Sequence, residues 1–243
     1  MSGGDWQSRI APLIWAHPMR ALLLKPLQIT VYQDVLCAWC YLADLRLDIL
    51  RKEFGDTVRW RVRPYPLRVV DTLPTERELR GLSEEVERAQ AEPEPVARLL
   101  SKDLWLSGDP PRSSLPGLAA LEAARLQGPQ ARAYLAKAMQ RAALEQGVNV
   151  ARTDVVFELA SRVGLAMNDF SAAFHSEETR RLILDEHRLA SSRGVRGVPT
   201  LVINGRWMIC GLRDVAEYRE HILTCMGKLS EPRSGGSSER LVH

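Results

Sequence analysis

The stretch Leu27-Gln28-Ile29-Thr30-Val31-Tyr32 is apolar, β-branched and aromatic; it breaks at Gln33-Asp34, and Cys37-Ala38-Trp39-Cys40 follows within five residues. The first stretch reads as a buried strand. After the cysteine pair, Leu42, Leu45, Leu47, Ile49 and Leu50 recur among charged residues at helical spacing until Gly55 supplies a stop signal. Thr57 to Arg63 then alternates Val58, Trp60 and Val62 against Arg59 and Arg61, a second strand halted by Pro64. A strand, a helix and a strand in so short a span place the chain in the α/β class, with two closely spaced cysteines where the first strand hands over to the helix.

The rest of the chain is built around that unit. From about Thr75 to Ser192 it is rich in alanine, leucine and arginine, punctuated by Pro93, Pro95, Pro110, Pro111, Gly128 and Gly164. Thr75-Glu76-Arg77-Glu78 has the capping-box arrangement, and the runs 117–127, 129–146, 153–163 and 177–192 each carry an apolar face. This is a helical block inserted into the first unit. Beyond it, 198–203 reads as a strand, Asn204-Gly205 as a two-residue hairpin turn, 206–210 as the return strand and 213–226 as a closing helix. The expected organisation is a peripheral arm at 1–26, a domain made of 27–74 and 193–228, a helical insertion at 75–192, and a disordered tail at 229–243 carrying Ser-Gly-Gly-Ser-Ser. Met19 lies eight residues before the first strand, so a chain starting there is expected to keep everything essential.

Composition narrows the partners. The 33 basic and 30 acidic residues are interspersed, giving a formal charge of +3 without the basic stripe of a nucleic-acid binder. Ala21 to Leu24 is far short of the roughly 20 apolar residues of a bilayer span. Lys25 and Pro26 cut the leucines after Arg20 before a secretory h-region develops, so a cytoplasmic location is expected. Four cysteines in 243 residues make no disulfide framework, and in a reducing compartment a pair such as Cys37 and Cys40 is more often catalytic or metal-bound than structural.

Placed at a helix N-terminus, Cys37 gains from backbone N–H groups that favour a thiolate, and Cys40, three residues on, comes within disulfide reach as the more shielded thiol. Two plainer readings compete: a zinc half-site and two cysteines that merely fill space. Zinc would need two further ligands, and no second close Cys or His pair exists; Cys210 and Cys225 stand alone. No metal and no cofactor are expected.

The segment Asp34-Val35-Leu36-Cys37-Ala38-Trp39-Cys40-Tyr41, the helical insertion, and the late Gly194-Val195-Arg196-Gly197-Val198-Pro199-Thr200 resemble the DsbA-like branch of the thioredoxin superfamily, specifically its FrnE-like members, over roughly residues 27–226. The resemblance implies a thioredoxin-like fold interrupted by an all-helical domain. It implies a dithiol–disulfide oxidoreductase or isomerase in which Cys37 attacks, Cys40 resolves, and Val198-Pro199 is a cis peptide facing the pair, with Ala38, Trp39 and Val198 touching substrate. Partners are then protein disulfides or dithiols, or small thiols such as glutathione. The chain departs from the family in carrying Ala38 where many relatives have proline, and Trp39 where the strongly oxidising DsbA has histidine. Its redox behaviour is therefore expected between that of thioredoxin and DsbA, nearer the former. A second reading is a glutathione-dependent isomerase or transferase, since kappa-class transferases and hydroxychromene carboxylate isomerases resemble the same fold; those relatives usually carry serine at the first cysteine position. A third is a binding module with idle thiols.

Trp39 is expected at the surface as a partner contact rather than as structure. Cys210 and Cys225 read as small buried hydrophobes rather than a second redox pair. Asp34 is a candidate proton relay to Cys40, although an aspartate ending a strand is more often a turn or cap residue. His175 and His187 read as surface or packing residues.

Overall fold

The computed structural model describes residues 26 to 230, with side chains to residue 228; the arm before Pro26, Met19 and the tail from residue 231 lie outside the described residues. Four strands form one sheet in the order β2–β1–β3–β4. The strand β1 (Leu27–Gln33) lies inside it. It pairs in parallel with β2 (Val58–Pro64), from Leu27 opposite Val58 to Gln33 opposite Pro64. On its other side it pairs antiparallel with β3 (Thr200–Ile203), Ile29 opposite Ile203 and Tyr32 opposite Thr200. The hairpin to β4 (Trp207–Cys210) turns on Asn204 at φ 49° and Gly205 at φ 69°, the two left-handed residues that a tight turn matched to strand twist requires.

Two strand boundaries differ from the sequence reading. Pro64 is the last residue of β2 rather than the residue that halts it, because β2 is an edge strand and a missing N–H costs no ladder bond there. The strand β3 starts at Thr200, not Val198, since Pro199 has no N–H to give.

Between β1 and β2 runs α1 (Ala38–Phe54), stopped by Gly55 at φ 48°, whose N–H bonds back to the Arg51 carbonyl. Leu47, Leu50 and Phe54 pack with Ile29, Val31, Leu201 and Ile203, and with Tyr218 and Ile222 of the closing helix. Leu42 and Tyr41, on the same helix, belong instead to the core of the helical block. Burying two faces explains why α1 is weakly amphipathic for so long a helix.

The block comprises α2 (Glu76–Gln90), the single turn α3 (Asp103–Leu106), α4 (Leu115–Arg125), α5 (Pro129–Gln140), α6 (Thr153–Arg162), α7 (Met167–Phe174) and α8 (Glu177–Ser192). Thr75 makes the capping box with Glu78 that opens α2. The run expected over 129–146 changes at Arg141–Glu145 to a π-type turn. Sequence periodicity missed α7, whose eight residues are too few to show a face; it is held by Phe170 and Phe174, which pack with Phe157 at 5.5 Å ring separations. The closing helix α9 (Val215–Ser230) covers the same face of the sheet as α1. No described helix is long and apolar enough to cross a membrane.

Candidate active site at the start of helix α1

Cys37 is the N-cap of α1, at φ −94° and ψ 114°, with its carbonyl accepting from the amides of Cys40 and Tyr41 at 3.1 and 3.2 Å. The positive end of the helix macrodipole therefore lies at its sulfur. Cys37 retains 7% of its surface, whereas Cys40, one turn inside, retains none. Both are free thiols. Burial drives the Cys40 thiol well above its ordinary pKa; contact with the Cys37 sulfur and, more weakly, the Asp34 charge push the same way, against a backbone bond from Asp34. The arrangement is an asymmetric dithiol: an outer sulfur at a helix terminus backed by a sealed, protonated one.

Across from it, the Val198 carbonyl lies 3.7 Å from the Cys37 sulfur, and the Val198–Pro199 bond is cis. Val198 is half-buried and Pro199 buried. The segment that follows α8 thus reaches the cysteine pair from 161 residues away.

Asp34 makes the local turn contact the sequence allows, to the Leu36 amide, and adds two bonds to distant segments that the sequence does not record. Its carboxylate is 1% exposed and accepts from the Leu36 amide (3.0 Å), the Leu67 amide (2.7 Å) and the Ser114 hydroxyl (2.5 Å). Burial raises its pKa, and the three hydrogen bonds oppose that rise. Asp34 ties together the loop before Cys37, the segment after β2 and the start of α4. Ser114, the residue before α4, was not singled out in the sequence, and nothing near it there points to Asp34.

Ala38 and Trp39, the two residues between the cysteines, differ in exposure. Ala38 is buried, at 5% exposure. Trp39 is half-buried against the helical core, and its indole N–H donates to Glu85 of α2 at 2.8 Å, so this ring joins the cysteine motif to the block. Tyr41 makes a similar link, donating to Glu145 at 2.5 Å. Arg46 on α1 also went unnoticed: it is buried, ion-paired to Glu92 and Glu94 at 2.6 Å each, and donates to the Arg213 carbonyl at 3.0 Å. A lone arginine in a helix carries no sequence signal for such a cluster.

Cys225 is buried as expected, but Cys210 is exposed, because it ends a strand at the sheet edge. His187 is half-buried with its ring 4.7 Å from Tyr65, and His175 lies against Phe174 and Phe157. No group of three or more metal-ligating side chains occurs among the described residues.

Residues 28–223 match the DSBA-like thioredoxin domain. The ClpXP adapter protein SpxH of Halalkalibacterium halodurans is 28% identical over 210 residues, covering 82% of this chain and 65% of that protein. The chain thus spans less than two thirds of that curated relative. A Nitrosomonas europaea protein assigned as a protein disulfide isomerase superposes with a TM-score of 0.74 at 18% identity, over 84% of this chain and 99% of the other. The cytosolic disulfide reductase DsbM of Pseudomonas aeruginosa, solved with GSH, superposes with a TM-score of 0.63 at 24% identity, over 82% and 99%. At these identities the structural likenesses establish the fold, a thioredoxin-like sheet interrupted by helices.

Proposed function

Because this chain belongs to the DSBA-like thioredoxin family, we propose that it is a thiol–disulfide oxidoreductase that exchanges a Cys37–Cys40 disulfide or dithiol with a protein or small-thiol partner. The observation that carries the reading is the asymmetry of the pair: Cys37 at the helix terminus beside the Val198 carbonyl, Cys40 fully enclosed behind it. In the reducing direction the Cys37 thiolate attacks a partner disulfide, forming a Cys37–partner disulfide and releasing one partner thiolate. Cys40 then attacks the Cys37 sulfur, its proton passing to the second departing thiolate, so that two electrons leave the dithiol and an internal disulfide remains. Oxidation of a partner is the same path reversed. Val198, Pro199 and Trp39 line or brace this exchange site, and Asp34 holds its loop.

The reading takes 27–74 with 193–228 as the redox domain and 75–192 as its insertion, supported by the separate hydrophobic clusters of sheet and block. It places the protein in the cytoplasm, supported by four cysteines without a disulfide framework. The intact cysteine pair disfavours the isomerase or transferase alternative, whose members usually replace its first residue with serine.

The test is trapping. Cys40→Ser leaves the attacking thiol and removes the group that releases the mixed disulfide, so partners accumulate as covalent adducts on non-reducing gels. Cys37→Ser is expected to trap little, because Cys40 is enclosed. Equal trapping by both variants would overturn the division of roles, and none by either would overturn the exchange reading.

A further inference from the structure

Among the described residues, two buried side-chain nitrogens have no hydrogen-bond partner, Trp60 Nε1 and Arg132 Nε, and both are donors. They border the same side chain. The Arg51 guanidinium stands over the Trp60 ring, 5.6 Å from its centroid, and Arg51 is one of the charges that act on Arg132, with Glu122, Asp44 and Arg125. This corner, where α1, α4, α5 and β2 meet, lies at the far end of α1 from the exchange site: Arg51 follows Cys37 by 14 residues, roughly 20 Å along the helix. The carboxylates around Arg132 are engaged elsewhere. The buried Glu122 accepts from Arg125 at 2.6 Å, and Asp44 accepts from Gln33 (2.7 Å), Gln140 (3.2 Å) and Arg51 (3.4 Å). Three guanidinium groups therefore meet two carboxylates, and Asp48, which pairs with both Arg51 and Lys137, leaves that surplus of one positive charge unchanged.

Arginine cannot shed its proton to escape burial, so a sealed guanidinium N–H costs free energy unless an acceptor reaches it. Burial pushes Arg132 below the usual arginine range, yet the residue as a whole is only half-buried, which leaves a small solute a way in. We propose that this corner is a binding site for a small carboxylate of single charge, held by the Arg132 guanidinium, with Arg51 and the Trp60 indole on its flank. Charge favours a carboxylate over a phosphate: one negative charge balances the surplus, whereas a phosphate group near neutral pH carries about 1.5 to 2 and adds repulsion from Glu122 and Asp44. Geometry favours it over chloride, because the planar guanidinium fork presents directed donors that match a pair of oxygens. The site goes beyond thiol exchange and requires none of it.

The experiment compares the reduced full chain with Arg132→Met, which keeps an unbranched apolar stem and removes the charge, and with Arg132→Lys, which keeps the charge and removes the fork. Each is dialysed into sodium chloride, and melting is followed as the chloride is replaced, at constant ionic strength, by sodium acetate or by sodium phosphate. The wild type is expected to melt about 2–4 °C higher in acetate, with saturation, and to respond less to phosphate. Arg132→Met is expected to lose the acetate response and, relieved of a charge that has no acceptor, to melt in chloride no lower than the wild type. Arg132→Lys is expected to need about tenfold more acetate for half of the shift, equivalent to about 1.4 kcal/mol. A wild type indifferent to acetate, a larger shift in phosphate, an acetate shift that persists in Arg132→Met, equal half-saturation in Arg132→Lys, or an Arg132→Met that melts lower in chloride, which would make the arginine a part of the fold, would each overturn the site. None of these outcomes bears on the dithiol reading, which the trapping variants test separately.

Discussion

The Asp34 carboxylate lies among three donors and almost no water, and this decides how it responds to substitution. Asp34→Ala leaves the Leu36 and Leu67 amides and the Ser114 hydroxyl without their acceptor, and stranded buried donors of this kind cost about 1–3 kcal/mol each. Asp34→Asn separates structure from titration. Burial raises the folded pKa of Asp34 above its unfolded value, so the folded state binds the proton more tightly. The stability this contributes is fully present below the unfolded value of about 3.9 and is lost as pH rises through the raised one. Asparagine carries no such titration. The urea midpoint of the variant is therefore expected to gain on that of the wild type as pH rises through this window, whatever constant offset the amide introduces. A difference independent of pH would show that burial does not dominate at Asp34. Exchange by folded Asp34→Asn at the wild-type rate would remove the proton-relay role and leave the carboxylate as the loop's fastening.

Helix α4, where it meets the loop before Cys37, shows how local propensity yields to contact. Gly117, inside α4, has no positive φ, and on propensity alone alanine there would add about 0.5–1 kcal/mol. A Cβ at 117, however, would stand 2.7 Å from Val35 Cγ1 and 3.5 Å from Met139. Val35 is β-branched and buried two residues before Cys37, so it cannot simply rotate aside. Gly117→Ala is expected to destabilise by about 1–3 kcal/mol, the usual range for an overpacked core, and Val35→Ala to relieve most of that penalty. Urea denaturation of both single variants and the double variant measures the coupling; additive effects would show that α4 does not press on the loop before Cys37. The capping box of α2 was legible, and the run read over 117–127 overlaps α4, which starts two residues earlier at Leu115. The close approach of Gly117 to Val35 was not, because the residues lie 82 positions apart and nothing around either one records the other.

Across the whole molecule α1 is the shared wall, giving Leu42 to the core of the block and Leu47 to the core of the sheet, both with no exposed surface. Leu42→Ala and Leu47→Ala are each expected to cost about 2–5 kcal/mol. Since one helix serves both cores, far-UV circular dichroism and tryptophan fluorescence should report a single coincident transition in each variant. Two separate transitions in Leu42→Ala would show that the block unfolds without the sheet. By itself the sequence determined what depends on residues a few positions apart: the strand–helix–strand unit, the cysteines at a helix start, the Asn204-Gly205 hairpin and the predominance of helix from 75 to 192. Only the tertiary structure decided that Ala38 is buried and the Trp39 ring half-buried against the block, that Cys210 is exposed and Arg46 buried, and that Asp34 meets Ser114 while Cys37 meets Val198. Periodicity records which face of an element is apolar, whereas burial and partnership at the site follow from the angle and depth at which the block packs on α1. Those are properties of two surfaces meeting, and no local stretch of chain contains both.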